Sequence, residues 1–290
     1  MKSVDITEKM VLGTVQFGMD YGITNVSGKP TNKEVFSILT LAWEKGICRL
    51  DTAPGYGSEK ILGEFIKSNG LQNEAKVLTK IPSLEGYSNY RKFIRTSIET
   101  SLNNIKCPID VLFFHRPKDS LLLRKDPDFF KELLSEYPVS ILGVSVYERQ
   151  EVEKLSDSQF ELAFQVPYNV LDRRFENVSI RAGKRYARSI FLQGLLASTS
   201  EMRKNSHREL VKMQQRYHAV LTKNHQNPIQ FALSFVANAR NIDYFLFGVD
   251  TSDQLLDILN LNIYDNKQMN IVNKLQLNID HKWLDPRKWI

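Results

Sequence analysis

Four side chains with complementary chemistry stand at the ends of apolar runs in the first part of the chain: Asp51, Tyr56, Lys80 and His115. Asp51 ends the run Ile47–Leu50, and Tyr56 follows on a segment turned by Pro54, Gly55 and Gly57. Lys80 ends Lys76-Val77-Leu78-Thr79, and His115 ends Asp110-Val111-Leu112-Phe113-Phe114 just before Arg116-Pro117. A free tyrosine titrates near pH ~10 and a free lysine near ~10.4, so the phenol carries a proton at neutral pH. An ammonium beside it stabilises the phenolate and eases release of that proton. Lowering the phenol pKa by about two to three units, at about 1.4 kcal/mol each, is enough to matter for proton transfer. Asp51 paired with Lys80 would keep the ammonium charged, and a neutral His115 would orient a carbonyl oxygen by hydrogen bonding. The set suits proton donation to a carbonyl oxygen while hydride reaches the carbon. No side chain supplies hydride, so a nicotinamide cofactor, NADP(H) or NAD(H), is implied.

Taken singly, each residue also has a plain structural use. Asp51 can bond loop amides, Tyr56 can be a half-buried loop aromatic, Lys80 can extend out of a strand end, and His115 can be a satisfied core histidine. The joint reading requires that neighbouring strands bring these ends to one place. Eight strand-like runs are present: Val11–Gly18, Ile47–Leu50, Lys76–Lys80, Asp110–His115, Ser140–Val146, Glu161–Val166, Arg188–Gln193 and Tyr244–Gly248. Several are almost continuously apolar, as expected of parallel strands buried on both faces. Helix-period segments separate them: Asn32–Lys45 behind a Thr31 cap, Ser58–Ser68, Tyr90–Asn103, Phe129–Glu136, Arg149–Leu155, Pro228–Asn238 and Thr251–Leu261. This alternation predicts a single α/β domain over residues 1–290, a (β/α)8 TIM barrel with its ligand site at the C-terminal ends of the strands. A doubly wound open sheet is the competing fold, but no Gly-x-Gly-x-x-Gly follows the first strand.

Composition narrows the function classes. A chain of 290 residues with 42% hydrophobic and 25% charged residues has the apolar mass for one large core. No apolar run approaches the roughly 20 residues of a membrane span, and Met1–Met10 has no signal-peptide pattern. Cys48 and Cys107 lack metal-ligand spacing and sit in or beside apolar segments, as reduced thiols of a cytoplasmic protein do. The formal charge of +6 suits an anionic ligand, but Lys and Arg are dispersed, which argues against nucleic acid. A small-molecule partner is expected. Two segments interrupt the regular spacing: a long connection, expected as a loop over 198–227 that opens with the polar stretch 198–206 before helical patterning resumes, and a tail over 266–290, both expected near the mouth of the barrel. Trp283 and Trp289 of the tail would either wall a pocket or pack on the barrel exterior.

Leu-Asp-Thr-Ala around Asp51, Gly-Tyr-Gly-Ser-Glu around Tyr56, Leu-Thr-Lys ending in Lys80 and Phe-Phe-His-Arg-Pro around His115 resemble the catalytic tetrad of the aldo-keto reductases. The likeness runs nearly end to end. It implies a nicotinamide-dependent oxidoreductase acting on a carbonyl or alcohol, with Tyr56, Lys80, Asp51 and His115 as catalytic residues. It also implies that Gly13, Thr14 and Asp51 lie near the nicotinamide and that Ser145 and Gln165 hold its carboxamide. Phe191 would stack on the ring, beside Gln193 and Gly194, while Gly248, Thr251, Gln254 and Asp257 would receive the adenosine end. NADPH is expected over NADH from the family, although Gly248 and Gln254 stand where many members carry a Lys and an Arg. Gly13-Thr14-Val15-Gln16-Phe17-Gly18 and Phe191-Leu192-Gln193-Gly194-Leu195-Leu196 are similar to a bacterial branch associated with surface-polysaccharide and sugar biosynthesis. A keto-sugar or nucleotide-linked sugar substrate follows from that likeness.

Two other classes compete. One is a non-catalytic nicotinamide-binding regulatory subunit on the same barrel. The other is a metal-dependent sugar isomerase, epimerase or aldolase using His115 and Asp51 as ligands. No third ligand stands at a strand end, and His207, His218, His225 and His281 lie outside the strands.

Overall fold

Eight parallel strands close into a barrel in sequence order in the computed structural model, which describes all residues except 1–5, 24, 26–27, 179–182, 198–206, 266, 276–278 and 290. The strands are β1 Met10–Gly13, β2 Arg49–Asp51, β3 Lys76–Ile81, β4 Ile109–Phe114, β5 Val139–Ser145, β6 Leu162–Pro167, β7 Arg185–Arg188 and β8 Tyr244–Phe247. β8 returns to β1 with Val11 opposite Leu246, so no edge is left unpaired. Gly13 stands opposite Asp51, and Asp51 opposite Leu78. The same parallel ladder sets Ser145 opposite Gln165. This register brings the C-terminal ends of the strands to one rim, as a (β/α)8 barrel requires.

The apolar runs divide between two cores. Val11, Leu78, Val111, Phe113, Ala163, Tyr186 and Leu246 fill the barrel interior. Phe113 meets Tyr186 edge-on at 5.7 Å, and Tyr186 stacks on Tyr244 at 4.8 Å. The larger core lies between the strands and the surrounding helices. Helix Asn32–Glu44 starts where Thr31 accepts from the Glu34 amide, and Val35, Ile38, Leu39 and Ala42 form its buried stripe.

Three sequence expectations need correction. β1 ends at Gly13 instead of Gly18; Thr14 turns the chain into a single helical turn, Val15–Gly18. The seventh strand is Arg185–Arg188, not Arg188–Gln193. The apolar run after it leaves the sheet with Ser189, Leu192 and Gln193 at positive φ (57°, 47° and 54°) and is buried as a loop. Burial explains its composition without a strand. The expected loop 198–227 contains the helix Arg208–Lys223, with Leu210, Met213, Tyr217 and Leu221 buried. Its first part, 198–206, lies outside the described residues.

The tail is a series of short 3-10 turns, Gln268–Leu275, His281–Leu284 and Pro286–Lys288. Trp283 and Trp289 pack against the outer core, the Trp289 indole donates to Trp283 O at 3.1 Å, and neither lines the central cavity. Cys107 is buried, which pushes its thiol up to about 11, and Cys48 is half-buried; both are free. Among the described residues, no helix is long and apolar enough to cross a membrane.

Candidate active site

The strand ends open into a cavity of about 770 Å³. That is within the roughly 300–1,000 Å³ of small-molecule and cofactor sites. Asp51, Tyr56, Lys80 and His115 all line it. At its floor Lys80, only 1% exposed, donates to both Asp51 carboxylate oxygens at 2.9 and 2.8 Å and to Thr52 O at 2.8 Å. All three ammonium protons therefore have acceptors. Gln165 Nε2 adds a bond of 2.8 Å to Asp51 Oδ1.

Hydroxyl groups beneath this pair fix the loop that carries Tyr56. Thr14 donates its side-chain hydroxyl to Asp51 O at 2.9 Å, and Ser58 Oγ lies 2.8 Å from the hydroxyls of both Thr14 and Thr52. Glu59, buried at the start of the helix Glu59–Ser68, accepts from Thr79 and Ser101 at 2.8 Å each. Thr79 adjoins Lys80, so the helix that follows the Tyr56 loop is tied to the strand that holds the ammonium. Gly18 allows the remaining close approach: a Cβ there would lie 1.7 Å from the Tyr56 carbonyl oxygen.

The electrostatics of the four groups differ from those of free side chains. Burial lowers the Lys80 pKa, but the Asp51 carboxylate, with Tyr56, outweighs it and raises the ammonium above its ordinary pKa. Lys80 Nζ lies 4.8 Å from the centre of the Tyr56 ring. Even so, Tyr56 is not acidified as the sequence suggested. Burial raises its phenol above the ordinary value, Lys80 opposes this and Asp51 reinforces it. The carboxylate that keeps Lys80 charged also cancels much of its field at the phenol. His115, edge-on to Tyr56 at 6.3 Å, is pushed down to about 4 by burial and then by Lys80, Arg188, Arg116 and Arg287. Its imidazole is therefore neutral at pH 7, as the sequence chemistry expects.

The other expected site residues are largely brought together. Gly13, Thr14, Ser145, Gln165, Phe191, Gln193, Gly194, Gly248, Gln254 and Asp257 line the same cavity. Thr251 does not line it; its hydroxyl caps the helix Ser252–Leu259 by accepting from the Gln254 amide. Gln254 Oε1 is engaged by the Asp250 amide at 2.8 Å. Gln16, Tyr21, Asn25, Tyr147 and Arg188 also line the cavity and were not singled out as site residues from sequence. Tyr21 is held by Gln193, whose Nε2 donates to its hydroxyl at 3.1 Å. Among the described residues no group of three His, Cys, Asp or Glu side chains is placed to hold a metal.

The donor set suits a nicotinamide dinucleotide. Gln16 Oε1 is buried in the cavity wall with no donor among the described residues, and such an atom calls for an N–H or O–H from an occupant. Ser145 and Gln165 place a hydroxyl and an amide near the Asp51–Lys80 pair, while Gly248 leaves room for the Gln16 side chain, whose amide a Cβ there would meet at 2.4 Å.

The sequence profile described as Aldo/keto reductase family matches residues 9–276. Aldo-keto reductase YhdN of Bacillus subtilis is 27% identical over 159 residues, covering 51% of this chain and 48% of that protein. The chain spans about half the length or less of the curated relatives it matches. Among solved structures, the holo form of an aldo-keto reductase from Bacillus halodurans superposes with a TM-score of 0.75 at 17% identity, covering 93% of both chains. A glycerol dehydrogenase from Gluconobacter oxydans gives 0.72 at 19% identity, covering 92% of this chain and 90% of that one. These two likenesses establish the barrel fold. The profile match across nearly the whole sequence gives the assignment: the chain belongs to the aldo/keto reductase family.

Proposed function

We propose that the protein is a cytoplasmic oxidoreductase that moves a hydride between a nicotinamide dinucleotide and a carbonyl or alcohol substrate. The observation that carries this reading is the single cavity in which Tyr56, the Asp51–Lys80 pair and a neutral His115 meet. The family is one of NAD(P)-dependent oxidoreductases acting on carbonyl and alcohol groups. When bound, the nicotinamide supplies the hydride that no side chain here can supply. Ser145 and Gln165 would hold its carboxamide, and Phe191 would cover its ring.

The chain's own residues handle the oxygen. His115 donates a hydrogen bond to the substrate carbonyl and polarises it, which an imidazole that stays neutral to about pH 4 can do without releasing a proton. Tyr56 gives its proton to the oxygen as negative charge develops there. Its raised pKa keeps it protonated throughout the neutral range. Lys80 does its work as the phenolate forms, because its charge then faces an anion at short range in a buried site. Asp51 holds the ammonium in place through both oxygens.

A keto-sugar, free or nucleotide-linked, is the substrate class we favour. The Gly13–Gly18 and Phe191–Leu196 motifs support it, as do the polar side chains of Tyr21, Asn25, Gln193 and Asn227 around the cavity. At the expected adenosine end, Asp250, Gln254 and Asp257 bring two carboxylates and an amide to the described walls, with no cation. That charge opposes a 2′-phosphate. We therefore expect NADH to bind more tightly than NADPH, against the family-based expectation. Titration with each dinucleotide, followed by turnover of simple aldehydes, tests the reading. Micromolar binding with carbonyl-dependent oxidation of the reduced form supports it. Tight binding without turnover of any carbonyl would favour a regulatory subunit.

A further inference from the structure

Arg188, the last residue of β7, lines the cavity but has no part in the tetrad. Its Nη2 donates to Val146 O at 3.0 Å, and Nη1 reaches Ser189 Oγ at 3.5 Å. Among the described residues its buried Nε has no partner. Among the described residues no carboxylate forms an ion pair with it. Among the described residues the acids around it pair with other cations, Asp51 with Lys80, Asp172 through Oδ1 with Arg174 at 2.8 Å and Asp285 with Arg287 at 2.7 Å, and Asp172 reaches Arg188 only through its field.

The guanidinium is also held rigidly. Its Cζ lies 3.9 Å from the centre of the Tyr147 ring, and that of Arg287 lies 3.1 Å from the same centre. Two guanidiniums so close to one centroid would collide on a single face, so the ring is clamped between them. Tyr147 lines the cavity as well. The excess positive charge reaches the catalytic groups, since Arg188, Arg116 and Arg287 all help to keep His115 neutral. A fixed planar fork at a cavity wall, with no ion-pair partner among the described residues, suits the paired oxygens of a carboxylate or phosphate.

We propose that Arg188 anchors an anionic oxygen group, a carboxylate or a phosphate, on the carbonyl substrate, so that the enzyme selects acidic carbonyl compounds over neutral ones of the same size. The proposal rests on the oxidoreductase reading above and specifies its substrate class. The test compares kcat/KM within two matched pairs at saturating cofactor: 4-carboxybenzaldehyde against benzaldehyde, and glyceraldehyde 3-phosphate against glyceraldehyde. The charged member of at least one pair should be favoured about tenfold or more, chiefly through KM. The responding pair tells carboxylate from phosphate. Arg188→Gln should bring that ratio close to one, and Arg188→Lys, which keeps the charge but loses the fork, should restore part of it. Equal values within both pairs would overturn the proposal. So would a ratio unchanged in Arg188→Gln, or a loss confined to cofactor binding. If Arg188→Gln does not fold, an undiminished ratio in Arg188→Lys overturns it instead. If no carbonyl is turned over, the oxidoreductase reading fails separately. The anion site is then read by calorimetry with benzoate and inorganic phosphate: saturable binding of either that weakens in Arg188→Lys sustains it, and no binding to the wild type overturns it.

Discussion

The Lys80 ammonium sits 4.8 Å from the centre of the Tyr56 ring while both oxygens of Asp51 accept from it at 2.8 and 2.9 Å. The pair is almost fully buried, so removing one partner leaves the other stranded. Lys80→Met should destabilise the protein by about 3 kcal/mol, because Asp51 then keeps only the Gln165 amide. Asp51→Asn with Lys80→Met should cost much less than the sum of the two single changes. Denaturant midpoints of the four proteins in this cycle check it; additive losses would mean that the pair is not coupled.

The pH dependence follows from two shifts of opposite sense. Carbonyl reduction needs Tyr56 protonated, and burial raises its pKa, so kcat for reduction should not decline on the alkaline side below about pH 10. His115 should keep its neutral form down to about pH 4. For stability, the unfolded histidine titrates near ~6.5 and the folded one lower, so the unfolded state binds more protons between these values. Stability is therefore lost as pH falls from about 6.5 toward 4, and His115 contributes no slope above that window. Comparing thermal midpoints of the wild type and His115→Phe across pH 4 to 8 isolates this slope.

Gly18 is where a single methyl group should disturb the Tyr56 loop. A Cβ there would meet Tyr56 O at 1.7 Å and Gly57 C at 2.8 Å, whereas a Cβ on Gly55 meets nothing within 4 Å. Gly18→Ala should cost about 1–3 kcal/mol of stability and lower kcat at least tenfold. Gly55→Ala should be close to neutral in both. Equal behaviour of the two variants would show that the loop position is not what sets Tyr56.

Cofactor choice should respond to charge at Gln254. Gln254→Arg places a cation at a wall that otherwise presents Asp250 and Asp257. The ratio of NADPH to NADH affinity should rise about tenfold, measured by fluorescence titration with each dinucleotide. An unchanged ratio would place the 2′ position of the ribose elsewhere in the cavity.

The catalytic groups were legible because a parallel barrel sends strand ends to one rim, and apolar runs ending in Asp51, Lys80 and His115 mark those ends. The same rule applies to Arg188, which closes β7 as Asp51 closes β2. It was missed because the apolar run after it, which is a buried loop, resembles a strand better than Arg185–Arg188 does. Gln16 stood inside a recognised motif, but its unpartnered oxygen appears only when β1 and β8 are paired. The acidity of Tyr56 could not be judged from residue types. It depends first on how deeply the phenol is buried and then on how far Asp51 offsets Lys80, which spacing does not fix. Tyr147 gave no local signal, since its place between Arg188 and Arg287 joins three distant segments.

The most direct test is a single-turnover experiment on the wild type and Tyr56→Phe, with reduced nicotinamide prebound and an aldehyde added. Both proteins should bind the dinucleotide with affinities within about threefold, and hydride transfer should be slower in the variant by about two orders of magnitude or more. Equal rates in the two proteins would contradict a proton-donating role for Tyr56, and equal loss of binding and rate would make it a structural residue.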